Sequence, residues 1–202
     1  MENFKRVFGV KHPITLFGMA SILATYLDQG RWSEAEELGV QLMQTRKRLL
    51  GAEHPDTLTS MDNLASTYGN QGRLNEAEEL GLQVVETRKR VLGLEHPDTL
   101  TGVANLASTY RNQGRWKEAE ELEVQVIETR KRVLGEEHPH TLASMANLAY
   151  TWKHQSRNKE AISLMEKCFQ LQRQILGSHH PNAQSSLEAL NEWQMENMEM
   201  GL

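Results

Sequence analysis

The chain has 202 residues, 39% hydrophobic and 24% charged with only five prolines, which excludes a disordered or collagen-like polymer. Twenty-two Lys and Arg against 27 Asp and Glu leave a formal net charge of -5, so counterion release gives no whole-chain drive toward nucleic acid. No apolar run approaches the ~18 residues of a membrane span, no apolar leader opens the chain, and the single cysteine, Cys168, cannot form an internal disulfide, which together point to a reducing, cytoplasmic setting.

All five prolines follow histidines, at His12, His54, His96, His138 and His180, and the step is 42 residues each time. A strict period of that size signals a repeat architecture rather than one central core. It divides the chain into 1–11, four units at 12–53, 54–95, 96–137 and 138–179, and a last segment at 180–202. Residues 5–11 align with 89–95, so the chain is expected to open inside the second helix of a preceding, truncated unit.

The second unit shows the local logic. Pro55 suits the first helical position, where its missing N–H is not needed, and Asp56 favours the positive dipole end. The spacing of Leu58, Met61, Leu64, Ala65 and Tyr68 predicts a helix with one apolar stripe, ended by Gln71-Gly72-Arg73. A second helix is predicted from about Asn75, with Ala77, Leu80, Val84 and Val91 on its stripe, Arg88-Lys89-Arg90 near its end and Gly93 closing it. One such hairpin cannot bury both stripes alone and must stack on its neighbours. The expected fold is all-α, an α-solenoid (right-handed superhelix) of antiparallel helix-turn-helix hairpins.

The third unit differs from the second at 10 of 42 positions. The fourth has drifted further, with Trp152 in place of Tyr and Ser156 in place of the turn glycine. Residues 180–202 start another first helix but lose the Gln-Gly-Arg turn, and read as a polar C-terminal capping helix in which Trp193, without a repeat equivalent, is expected to be exposed.

Asn63-Leu64-Ala65, Tyr68, Gln71-Gly72-Arg73, Glu76-Ala77-Glu78, Leu92-Gly93 and His96-Pro97 together resemble the tetratricopeptide repeat in its 42-residue, kinesin light chain-like form. The near-identical units with Glu-Ala-Glu-Glu-Leu and Glu-Thr-Arg-Lys-Arg are most similar to arrays at the C-terminal end of fungal and bacterial NLR-like proteins. That resemblance implies a non-enzymatic scaffold that receives a peptide or partner helix in a concave groove, as the recognition module of a larger signalling protein. A kinesin light chain-type cargo adaptor and an array that self-associates end to end are the alternatives. Where the family places a large residue in the second helix this chain has Gly39, Gly81, Glu123 and Met165, so its first two units should be less rigid unless close packing compensates.

At 100° per residue, the arc beside the apolar stripe of the first helices holds Thr59, Asp62, Asn63, Ser66 and Asn70 in the second unit. Its equivalents are Thr101, Asn105, Ser108, Arg111 and Asn112 in the third and Asn147, Tyr150 and Lys153 in the fourth. In the resembled family this arc lines the groove. Asparagine amides can pair with the backbone of an extended peptide, and the departures from the period, Asp62 to Ala104 and Gly69 to Arg111, would tune side-chain choice. Arg111 and Lys153 would favour an acidic ligand, while Thr59, Thr101, Asp62 and Ala104 stand where a chaperone-binding carboxylate clamp needs cations.

Other features read as structure. His-Pro-Asp at 54–56 and 96–98 is a hairpin connector, the Arg-Lys-Arg runs at 46–48, 88–90 and 130–132 are solvated helix ends, and Cys168 lies in the apolar stripe. No phosphate loop, no nucleophile with a base and no ligand-spaced metal cluster occurs, so neither an enzyme nor a cofactor is expected.

Overall fold

The computed structural model describes residues 9 and 11–199. The expected second-helix remnant in 1–11 falls on residues 1–8 and 10, outside the described residues. Among the described residues there are nine α-helices and no strand: α1 Pro13–Asp28, α2 Trp32–Leu50, α3 Pro55–Asn70, α4 Leu74–Leu92, α5 Pro97–Asn112, α6 Trp116–Leu134, α7 Pro139–His154, α8 Asn158–Leu176 and α9 Pro181–Glu199. They form two compact units, residues 1–113 with α1–α5 and residues 114–202 with α6–α9.

The His-Pro pairs start the first helices by a mechanism the dipeptide alone does not reveal. His54 is the N-cap, its backbone extended at φ −64° and ψ 138°, and its Nδ1 accepts the Asp56 N–H at 3.1 Å. His12, His96, His138 and His180 do the same for Ile14, Asp98, His140 and Asn182 at 3.2–3.3 Å. The pair His138 and His140, the obvious histidine couple, is therefore a helix cap. The second helices end at glycines such as Gly51, whose φ of 97° and ψ of 163° only glycine adopts readily. Its carbonyl accepts the Thr57 hydroxyl at 2.9 Å, and the Gly135 carbonyl accepts that of Thr141 at 2.9 Å, which ties these two helix ends to the next helix starts.

Within the first unit each helix packs on the next, and α3 also touches α5. Leu16, Met19, Leu23, Ala35, Leu38 and Leu42 form one core cluster there, and Leu58, Met61 and Val84 another. The interior glycines are filled rather than loose: an added Cβ at Gly39 would stand 3.6 Å from Leu64 Cδ1, and at Gly81 3.4 Å from Leu106 Cδ1. Close packing therefore offsets the flexibility anticipated for these helices.

Within the second unit α6 packs on α7, α7 on α8 and α8 on α9. Ile127, Leu142, Met145, Leu148 and Cys168 form one cluster, and Ala149, Ala161, Met165, Ala189, Leu190 and Trp193 the other. Trp193 is 4% exposed, not the solvent-facing residue expected, because it takes the core position beneath Tyr150, edge to face at 5.2 Å. Buried Cys168 donates to the Leu142 carbonyl at 3.2 Å, and burial pushes its thiol up to about 11.

The basic runs are not uniform solvated ends. Arg46 reaches the Asp56 carbonyl and Ser60 Oγ at 3.0 and 2.9 Å, and Arg130 reaches the His140 carbonyl and Ser144 Oγ at 3.1 and 2.7 Å. Arg88, 4% exposed, holds Asp62 at 2.6 Å and the Asp98 carbonyl at 3.0 Å. The first arginine of each run thus bonds the following first helix, and only the following Lys and Arg face outward.

Candidate functional site

In the first unit, the outward arc of α3 exposes Thr59, Ser66 and Asn70 with Asn63 half-buried, and that of α5 exposes Asn105 and Asn112 with Thr101 and Ser108 half-buried. Ser66, Gly69 and Asn70 of α3 face Asn105, Ser108 and Asn112 of α5 across a cleft of about 120 Å³. Asn70 Nδ2 donates to the Ser66 carbonyl at 2.9 Å, which orients its amide, and half-buried Arg111 places Nη2 3.3 Å from Ser108 Oγ. The lining is polar because small residues and amides occupy the arc, while Leu64, Ala65, Leu106 and Ala107 beneath it are buried.

Asp62 does not join this surface. It is 6% exposed, and its carboxylate turns inward to Arg88, because Gly102 lacks the hydroxyl that serves Arg46 and Arg130 as Ser60 and Ser144. The change from Asp62 to Ala104 therefore alters an internal pairing, not the groove. Conversely, α1 carries residues on the same arc that the sequence reading passed over. Phe17, Ser21, Ala24 and Asp28, one period before Thr59, Asn63, Ser66 and Asn70, are all exposed, Phe17 at 74%.

In the second unit Asn147 and Tyr150 are half-buried, and the capping helix engages this arc. Lys153 pairs with Glu196 at 2.6 Å, its side chain only 16% exposed, and its Nζ lies 5.8 Å from the Trp193 ring. Its charge is thus balanced within the protein, against the expectation that it draws an acidic ligand.

The Gln-Gly-Arg turn is more than a helix stop. Glu36 on α2 accepts Gln71 Nε2 at 2.9 Å and Arg73 Nη1 at 2.6 Å, and Arg73 and Gln71 hold its carboxyl below the ordinary value of 4.5. Glu78 accepts Gln113 Nε2 at 2.8 Å. In the second unit Glu120 accepts Gln155 at 2.9 Å, Trp152 Nε1 at 2.7 Å and Arg157 at 2.5 Å. Burial raises the Glu120 carboxyl, but these three donors outweigh it and leave the carboxyl below its ordinary range. Each arginine also stacks on the aromatic ring before the turn, Arg73 over Tyr68 at 4.1 Å and Arg157 over Trp152 at 4.6 Å. Among the described residues no group of three or more His, Cys, Asp or Glu could hold a metal ion, and no helix is long and apolar enough to cross a membrane.

The tetratricopeptide repeat family profile matches residues 24–56, 57–98, 99–140 and 141–182. The nearly identical TPR-like repeats of a kinesin light chain-type protein of Podosopora anserina, a crystal structure, align at 34% identity over 93% of this chain and 89% of that one, TM-score 0.75. BtubC (BKLC) from P. vanneervenii shares the fold at 18% identity over 96% of this chain and 81% of that one, TM-score 0.73. The apo form of RapI shares it at 12% over 97% and 73%, TM-score 0.70. No curated protein sequence matches the chain. Repeats of this family act as protein-interaction scaffolds, and the helix order and neighbour packing described above are those of an all-α solenoid. The chain belongs to the tetratricopeptide repeat family, and its repeats are of the kinesin light chain-like kind.

Proposed function

We propose that the first-helix arcs bind an extended peptide or partner helix, and that the chain is a non-enzymatic, cytoplasmic recognition module built on 42-residue units at 12–53, 54–95, 96–137 and 138–179. The observation that carries this reading is the polar cleft between α3 and α5, where Ser66, Asn70, Asn105, Ser108 and Asn112 present amides and hydroxyls from two successive first helices. Amides at fixed spacing can pair with peptide N–H and C=O groups whatever the side chains, and the rows at Thr59, Asn63, Thr101 and Arg111 would add selectivity. In the second unit Asn147, with Tyr150 and Lys153 beside the capping helix, would extend the same chemistry, with Lys153 already paired to Glu196.

The near-identical units favour a sensor role within a larger NLR-like protein. Likeness to a protein named for kinesin light chain repeats favours cargo adaptation as the second reading. The test is peptide display against the purified chain. Selected peptides should bind the wild type and lose about tenfold or more in affinity when Asn70→Ala and Asn105→Ala are combined, with helicity unchanged. Peptides that bind the double variant equally would refute the assignment.

A further inference from the structure

On the side of α3 opposite Asn63, Ser66 and Asn70, a second hollow of about 230 Å³ opens between α2 and α4. Its floor is apolar: Leu64 is buried, and Met43, Tyr68 and Leu80 are half-buried. Its rim along α4 carries Glu76, Glu79 and Gln83, all exposed. The volume lies below the ~300 Å³ at which small-molecule sites begin, and suits a side chain protruding from a partner.

The rim charges are not equivalent. Arg73 holds Glu76, bonds Glu36 with its other arm and lies over the Tyr68 ring at 4.1 Å. Among the described residues no cation pairs with Glu79, so an unmatched carboxylate stands beside an apolar hollow. Two periods later, within the second unit, the same place is closed and its charge changed. Ile127 and Trp152 stand for Met43 and Tyr68 and pack in one core cluster, with Ile127 7% exposed. Ser163 and Lys167 stand for Glu79 and Gln83, and Lys167 pairs with Glu136 at 2.7 Å. The open, acidic form therefore belongs to particular residues of the first unit and not to the 42-residue scaffold.

We propose that this hollow docks a basic amphipathic helix of a protein partner. One aliphatic side chain of that helix sits on Leu64, Tyr68 and Leu80 beside Met43, and a lysine or arginine one turn away pairs with Glu79. Glu76, Glu79 and Gln83 follow one another at about the ~5.4 Å pitch of a helix, so a helix laid along α4 brings its successive turns opposite them. The surface lies away from the amide cleft between α3 and α5, and the proposal does not depend on the groove reading above.

The test is fluorescence anisotropy of a labelled amphipathic peptide of leucine and lysine, with leucines at i, i+3, i+4 and i+7, titrated with the full chain, alongside the NMR resonance of the Met43 methyl group. Saturable binding is expected, with the Met43 resonance shifted and the affinity falling as salt is raised. Glu79→Ser combined with Gln83→Lys should weaken binding about fivefold, and Met43→Ile combined with Tyr68→Trp should abolish it. All four replacements already stand at these places two periods later, where Glu120, the equivalent of Glu36, accepts Trp152 Nε1 at 2.7 Å, so folded variants are available. A peptide with glutamate in place of every lysine should not bind. Absence of binding by the lysine peptide would overturn the proposal. Equal binding by either double variant or by the glutamate peptide would do the same, as would shifts at Asn70 and Asn105 with Met43 unmoved.

Discussion

Asp62→Ala is the most informative single change in the scaffold. Arg88 is 4% exposed and bonds Asp62 Oδ2 at 2.6 Å and the Asp98 carbonyl at 3.0 Å. Removing one member of a buried pair leaves the other charge uncompensated, at a cost of ~3–5 kcal/mol; with the carbonyl bond retained, about 3 kcal/mol is expected. With an m-value of about 2 kcal/mol/M in urea, the midpoint of the transition reporting on this unit should fall by about 1.5 M. The natural repeats supply a rescue. Arg46 and Arg130 bond Ser60 and Ser144 at 2.9 and 2.7 Å, whereas Gly102 occupies the corresponding place beside Arg88. In the wild type a Cβ at Gly102 would stand 3.1 Å from Arg88 Nη1, so Gly102→Ser alone should destabilise. Combined with Asp62→Ala, which frees that guanidinium to shift, the serine hydroxyl should recover about 1 kcal/mol. Urea denaturation followed by circular dichroism on the four proteins closes a double-mutant cycle. A loss below about 1 kcal/mol for Asp62→Ala, or additive effects of the two changes, would refute this account of Asp62.

Three further outcomes follow from single contacts. Because Arg73 and Gln71 depress the Glu36 carboxyl, its contribution is complete above pH 4.5 and is lost as pH falls through the depressed value. Glu36→Gln should therefore flatten the acid side of the stability profile, seen by thermal melts between pH 6 and pH 3; an unchanged profile contradicts the assignment. Ser156 holds φ at 63° where the other hairpin turns have glycine, so Ser156→Gly should raise stability by ~1 kcal/mol, and a loss would show that the serine side chain contributes. Cys168 is fully buried with its thiol raised to about 11, so Ellman's reagent at pH 8 should label it only after unfolding, and rapid native labelling would refute its burial.

The hairpins were legible because their signals are local. His-Pro starts, Gln-Gly-Arg stops and stripes of period 3.6 each act within one helix, and α4 begins at Leu74, one residue from the expected start. What sequence reading missed lies at longer range. Gln71 and Arg73 meet Glu36 across 35 and 37 positions, and no helical periodicity connects residues so far apart. Residues that break the period suggest a ligand-facing role for Asp62 and Lys153 and exposure for Trp193, yet all three satisfy internal partners: Arg88, Glu196 and Tyr150. Phe17 lies one period before Thr59, where a large apolar residue replaces the threonine of the later units and so does not read as part of a polar arc. Burial decides these cases, and it depends on which helix packs on which.

The claim that the first-helix arc is where this chain meets its partner has a direct measurement in NMR titration of the side-chain amides. On adding a display-selected peptide, the Nδ2 resonances of Asn70, Asn105 and Asn112 should shift saturably, while amides of the second helices α2 and α4 stay in place. Shifts confined to α2 and α4, with the three asparagines unmoved, would contradict it.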